Sequence, residues 1–185
     1  MMVSMATTTT LLTFEEFEQL PDQPGNRELL NGELIELPVH ERIPTEIAHR
    51  IFRQLHSVLL GAHGRGEASE LGKVYIHMGY KMPGDTYVQP DVSVTHAGQP
   101  AERYLGGAPA IAIEAVSSTN TAEALDTKTE LYFQFGAREV WRVYPKTRHI
   151  VVHVAGNSHT VSVRDVVRTP LLPGFELNVQ DVLAV

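Results

Sequence analysis

Ala110-Ile111-Ala112-Ile113-Glu114-Ala115-Val116 is an unbroken apolar run of strand length with one carboxylate inside it. The run is bounded by Pro109 on one side and by Ser117-Ser118-Thr119-Asn120 on the other. So short and so apolar a segment reads as a strand covered on both faces of a sheet, which requires helices or a second layer on each side. Burying an ionised glutamate without a partner costs far more than a lone Coulomb contact returns. Glu114 therefore needs a metal, a cation or a shared proton, or else it lies at the wet C-terminal end of the strand.

Two other segments bear on that choice. Residues 88–95 read as a strand in which Val92 and Val94 share one face while Asp91 and Ser93 share the other. Asp91 thus projects from a strand just after a proline. Over 121–135, Thr121, Ala124, Leu125, Lys128, Leu131, Tyr132 and Phe135 fall on one helical stripe, with Lys128 at its centre. A lysine there either snorkels to water or meets the sheet. Two carboxylates at adjacent strand ends can hold a divalent cation, and magnesium takes one or two carboxylates and fills its shell with water and phosphate oxygens. A lysine beside them can orient or help deprotonate a water and offset charge in the transition state. These are the parts of a metal-dependent phosphodiesterase.

Pro90-Asp91, Ile113-Glu114-Ala115-Val116-Ser117, Asp126-Thr127-Lys128, Leu131-Tyr132, Gly136 and Glu139-Val140-Trp141 together resemble the PD-(D/E)XK nuclease superfamily. More closely they are similar to its Uma-type branch of restriction-endonuclease-like proteins. The likeness extends to Arg27-Glu28-Leu29-Leu30-Asn31-Gly32-Glu33-Leu34 near the start and Leu172-Pro173-Gly174-Phe175-Glu176-Leu177 near the end. In this branch the lysine two residues after the glutamate is absent and one from the following helix replaces it; here Val116 stands at the first position and Lys128 is available. The resemblance implies a restriction-endonuclease-like α/β fold, Mg2+ or Mn2+ as cofactor, a nucleic-acid substrate with DNA ahead of RNA, and a homodimer. It implies Asp91 and Glu114 as metal ligands and Lys128 as the catalytic lysine. The chain departs from the family pattern in having no proline in Ser117-Ser118-Thr119, in Tyr144 before Pro145 where the family places Asp, and in the register of His40 and His49 against the histidine that opens the first long helix.

The remaining segments supply the frame. Thr13-Phe14-Glu15-Glu16 has the form of a capping box and opens a short helix ending near Leu20. Asn31-Gly32 between two short apolar runs is the strongest hairpin signal in the chain. Glu33 and Glu36 read as solvated hairpin carboxylates, while Glu28 and Glu33 are the hairpin acids that could face a metal site. A first long helix runs over 44–60 on the stripe Ile47, Ile51, Leu55, Val58 and Leu59, with Glu46 its only acid. Glu46 is either a dipole-stabilising first-turn residue or a supporting ligand. Residues 61–72 read as a mobile glycine-rich loop, 73–82 as one strand, and 96–109 as a long loop that could form a substrate rim. Thr119 or Asn120 should cap the lysine helix and Gly136 end it, with strands to follow at 140–144, 149–154 and near 160–164. His149 and His153 share a strand face, as zinc ligands or as a solvated outer face. The element order is mixed α/β, a mixed sheet flanked by two long helices with an N-terminal hairpin.

Composition trims the function classes. Absence of cysteine rules out disulfide scaffolds and thiolate zinc sites. Residues 1–12 read as a disordered tail and 13–185 as one domain; no apolar stretch is long enough to span a bilayer, which places the chain in the cytoplasm. A formal net charge of −7 opposes phosphate binding, which draws on Lys and Arg. Three classes thus stand: a metal-dependent endonuclease using Asp91, Glu114 and Lys128, with Glu46, Glu33 or Glu28 in support; a weak or inactive relative that binds nucleic acid or a protein partner; and a dimeric structural protein. The charge favours the last two, and a lysine in the middle of an apolar helix face favours the first.

Overall fold

The computed structural model describes residues 11–39 and 41–184; most of the segment read as a tail, and His40, lie outside them. Local chemistry sets the ends of the first elements. Thr13 caps α1 (Phe14–Glu18) by accepting from the Glu16 amide, and the Glu16 carboxylate accepts from the Thr13 amide at 2.9 Å, so the capping box is complete. The Phe14 amide donates to Asp85 Oδ1 at 2.9 Å and the Leu12 amide to Gly32 O at 2.8 Å, which lays α1 across the hairpin. That hairpin is β1 (Asn26–Leu30) and β2 (Glu33–Leu37), joined by Asn31 and Gly32 at φ 51° and 85°. Two successive positive φ values are the mirror-image turn whose twist matches paired strands.

The first long helix, α2 (Arg42–Gly64), exceeds the predicted 44–60 at both ends. Ile47, Ile51, Leu55 and Leu59 are buried as the stripe requires, and fully buried Ala62 holds the last turn in place. Gly61 and Gly64 therefore continue the helix, and the predicted loop shortens to the residues before β3 (Leu71–Ile76). The predicted strand over 73–82 is two strands, β3 and β4 (Tyr80–Met82), which lie in different sheets. The chain breaks between them at His77, with φ 48°, and at Gly79, where a Cβ would strike the Tyr87 ring. Residues 88–95 divide likewise into β5 (Thr86–Val88) and β6 (Val92–His96), separated by Gln89-Pro90-Asp91. A two-residue β7 (Leu105–Gly106) interrupts the predicted loop over 96–109.

Beyond it come β8 (Ile111–Ala115), α3 (Ala122–Gln134), β9 (Glu139–Tyr144), β10 (His149–Val154) and β11 (Asn157–Ser162). The chain closes with β12 (Val166–Val167), β13 (Leu177–Asn178) and the short α4 (Val179–Val182). Thr121 caps α3, its hydroxyl accepting from the Ala124 amide at 3.2 Å; Asn120, expected in that role, instead accepts from the Ser117 amide at 2.8 Å. Gly136, at φ 113°, follows the last turn as predicted.

A six-stranded sheet runs β11-β10-β9-β8-β6-β3 and a five-stranded sheet runs β2-β1-β5-β4-β7, with β12 and β13 paired apart. In the larger sheet β8 and β9 are parallel and α3 is their crossover; the other pairs are antiparallel. Ile111 and Ile113 of β8 join the core shared with α2, Trp141 and Phe175, while Ala112 joins the one built by Leu30, Tyr80, Met82, Leu131 and Tyr132. The strand is thus covered on both faces, as its composition required. Because the links β3–β4 and β5–β6 cross from one sheet to the other, the joint between the sheets lies beside the end of β8.

Candidate active site

Glu114 is the fourth residue of β8 and is 8 % exposed. Val92 of β6 pairs with Ile113, which carries the preceding residue, Asp91, alongside Glu114 and Ala115. The Ala115 amide donates to Asp91 Oδ2 at 2.7 Å. From α3, Lys128 Nζ lies 2.8 Å from Glu114 Oε1 and 2.9 Å from Glu28 Oε1. Tyr132, one turn further along α3, donates its hydroxyl to the same Glu114 oxygen at 2.7 Å. Lys128 does not snorkel: it is buried between two carboxylates.

Glu28 comes from β1 and is 1 % exposed, so the hairpin supplies an interior acid as well as a surface. It also accepts from the Gln89 amide at 2.8 Å, which ties the hairpin to the segment carrying Asp91. Of the other acids considered, Glu33 is exposed at the start of β2, and Glu46 pairs with Arg42 at 2.6 Å on the surface of α2. Neither lines the cleft that opens over Asp91, Glu114 and Lys128. The acid that α2 presents to that cleft is its N-cap, Glu41, whose carboxylate accepts from the Ser118 hydroxyl at 3.1 Å.

Charges in the cluster are strongly coupled. Burial works against the Lys128 ammonium, but Glu114 and Glu28 outweigh it and hold its pKa above the ordinary lysine value. Burial raises the Glu28 pKa against the pull of Lys128, with the Glu114 charge adding to the rise. Asp91 is pushed up to about 7, by burial first and by the Glu114 charge second, against the Ala115 amide. Tyr132 is raised well above its usual value by burial and by Glu114, so it stays a phenol that donates.

Three carboxylates around one ammonium leave a deficit of positive charge, which adds through Glu114 to the rise that burial gives Asp91 and Glu28. The Lys128 and Tyr132 contacts of Glu114 both fall on Oε1, and the Ala115 contact of Asp91 falls on Oδ2. Among the described residues no set of three or more His, Cys, Asp or Glu side chains is arranged to cage a metal. A cation here would rest on Asp91 and Glu114 and complete its shell with other oxygens. That donor set suits a hard divalent ion that keeps several waters, and not zinc. Among the described residues His149 and His153 join no such set; the His149 ring stacks on Tyr144 with centroids 4.8 Å apart.

Several contributors were not singled out by the sequence. Tyr132 counted as part of an apolar stripe and of the family likeness but was given no role at the site, although its position four residues after Lys128 puts it on the same helix face. Glu41 lies outside the predicted helix. Arg142 of β9 belongs to none of the motifs singled out above, yet it is buried and grips α3: its guanidinium reaches Asp126 Oδ1 at 2.7 Å, Leu125 O at 2.7 Å and Thr129 Oγ1 at 2.6 Å.

No curated protein matches this chain. Its fold is shared with a crystal structure from Anabaena variabilis described as "a putative nuclease belonging to DUF820", at a TM-score of 0.78 and 18 % identity over 94 % of this chain and 98 % of that one. A family model named Uma2 and described as "putative restriction endonuclease" matches residues 14–180. That match takes in both sheets and every residue of the cleft cluster, and the chain belongs to the Uma2 family.

Proposed function

We propose that the cleft hydrolyses phosphodiester bonds in nucleic acid, DNA in preference to RNA, with Mg2+ or Mn2+ as cofactor. The convergence of Asp91, Glu114 and Lys128, distant in sequence, on one buried spot carries this reading. Asp91 and Glu114 would hold the cation, which when bound supplies a more acidic water and a counter-charge for the phosphate oxygens. In the metal-free cleft Glu114 and Glu28 keep Lys128 an ammonium, which favours an electrostatic role over that of a base. Its role is to fix the orientation of Glu114 and to offset negative charge as the water oxygen bonds to phosphorus, its proton passing to solvent, and the alkoxide leaves and takes up a proton from solvent. Glu28 holds Lys128 in that place, and Tyr132 fixes the same Glu114 oxygen from below the cleft.

The second reading, a weak or inactive relative that binds nucleic acid or a protein partner, draws on the cation supply. Among the described residues nine of the fifteen Lys and Arg side chains are already paired with carboxylates. Lys128 is the cleft's one cationic wall residue, and it is engaged. A homodimer that apposes two clefts would concentrate the remaining cations.

One set of incubations separates the readings. Purified protein is mixed with supercoiled DNA, single-stranded DNA and RNA, with Mg2+, Mn2+ or chelator, beside Asp91→Ala and Lys128→Ala. Metal-dependent cleavage lost in both variants supports the enzyme. Cleavage unchanged in Asp91→Ala removes the site assignment, and binding without cleavage transfers the weight to the second reading.

A further inference from the structure

Five non-glycine residues among those described hold a positive φ: Asn31, Ala68, His77, Asp85 and Arg148. Asn31, Asp85 and Arg148 sit in hairpin turns, where such values belong, and Ala68 lies in the loop after α2. His77, at φ 48°, is instead in the crossing from one sheet to the other, beside the candidate active site. An L residue pays steric strain there that glycine does not. Strain of this kind persists where the surroundings impose it, and it gathers at functional sites.

What the strained backbone achieves is a double approach to Asp91. The His77 amide donates to Asp91 O at 3.2 Å, and ring Nδ1 stands 3.8 Å from Asp91 Oδ1. The other carboxylate oxygen, Oδ2, is held from the opposite side by the Ala115 amide. Asp91 is therefore bracketed, with β8 backbone on one oxygen and an imidazole facing the other. The imidazole is largely enclosed, its side chain 24 % exposed, so its position is set by packing and not by solvent.

We propose that His77 is a positioning residue for Asp91: its ring confines the carboxylate to the orientation in which Asp91 and Glu114 face one cation. The inference rests on the reading of Asp91 and Glu114 as cation ligands. It places His77 outside the first contacts of that cation, as a group that acts through Asp91. Outer contacts of this type change metal affinity by about 10- to 100-fold when removed.

The test is titration calorimetry of Mn2+ into wild type, His77→Gly, His77→Asn and Arg148→Gly, with melting temperatures of the metal-free proteins. His77→Gly should melt about 2–4 °C above wild type through relief of strain and bind Mn2+ at least about 10-fold more weakly. His77→Asn, which tolerates the left-handed conformation, should retain its fold and show the same loss, and it decides the matter if the glycine variant does not fold. Arg148→Gly relieves similar strain in the turn between β9 and β10, outside the cleft lining, and should bind Mn2+ like wild type. Wild-type affinity in either His77 variant overturns the proposal, as does an equal loss in Arg148→Gly. Folded wild type that takes up no Mn2+ overturns the cation reading itself, a failure seen without any variant.

Discussion

Lys128→Met keeps the length and the apolar stem of the side chain and deletes only the ammonium. Glu28 and Glu114, whose oxygens stand 2.9 and 2.8 Å from Nζ, then share an interior with no cation between them. Both partners are nearly enclosed, with side chains 1 % and 11 % exposed, so water cannot screen the loss. Removing one member of such a buried pair costs about 3–5 kcal/mol. For a domain of this size each kcal/mol moves the midpoint by about 2–4 °C, so the melting temperature at pH 8 should fall by about 6–20 °C. The pH dependence is diagnostic. The Glu28 pKa, already raised by burial, loses the opposing pull of Lys128 and rises further. A carboxyl whose folded pKa exceeds its unfolded value destabilises the fold only as pH rises past the unfolded value, so the deficit should be small at pH 5 and full at pH 8. Adding Glu28→Gln removes one of the stranded charges and should recover part of the loss. Thermal melts of the three proteins at both pH values check this. A Lys128→Met protein that melts within about 2 °C of wild type at pH 8, or that falls equally at pH 5, would refute the buried-pair account.

Asp91→Asn should stabilise the metal-free protein at pH 8 by up to about 4 kcal/mol, from a carboxyl carried from 3.8 to about 7. Since the folded pKa is raised, the gain should vanish toward pH 4 and grow through pH 7; urea titrations across that range would reject the assignment if the gain ran the other way. Arg142→Lys keeps the charge but loses the fork that spans Asp126, Leu125 and Thr129, and should cost about 2–4 kcal/mol in urea unfolding; a cost below about 0.5 kcal/mol would show that the clamp is idle. Six of the fifteen Lys and Arg side chains stand outside carboxylate pairs among the described residues, so the logarithm of nucleic-acid affinity should fall against the logarithm of salt with a slope no steeper than about −5 per chain; a steeper slope would show that the carboxylate-paired cations also meet phosphate.

Most of the frame was legible because it is local. The capping box at Thr13, the Asn31-Gly32 turn, the α2 stripe and the doubly buried β8 each follow from spacing and turn chemistry over a few residues. The break at His77 was not legible, because alternation over 73–82 is the same whether one strand continues or two strands lie in different sheets. The inward course of Glu28 was half legible. Period-two alternation separates Glu28 from Leu29, but in a hairpin buried by another layer the alternation does not say which face is the interior. Arg142 was not legible as an interior residue, because β9 reads as strand with either face outward. Only the packing of α3 onto it shows that the guanidinium is buried, its side chain 8 % exposed.

Carrying the lysine on a helix has a consequence that a lysine two residues along the strand would not have. A strand position is fixed by its ladder, but a helix can rotate or slide over a sheet, and Lys128 reaches Glu114 only if α3 keeps one angle. Arg142 supplies that constraint, and it is the residue opposite Glu114 in the parallel pairing of β8 with β9. One rung of the sheet thus sets the acid on one strand and, through three contacts at Asp126, Leu125 and Thr129, the helix that bears its lysine. Glu28 adds the third bearing from the other sheet. The cluster is therefore a product of two sheets and a helix held in mutual register. Substitutions at Arg142 or Glu28 should misplace Lys128 without touching the cleft wall, so they should weaken cation binding in proteins that still unfold cooperatively.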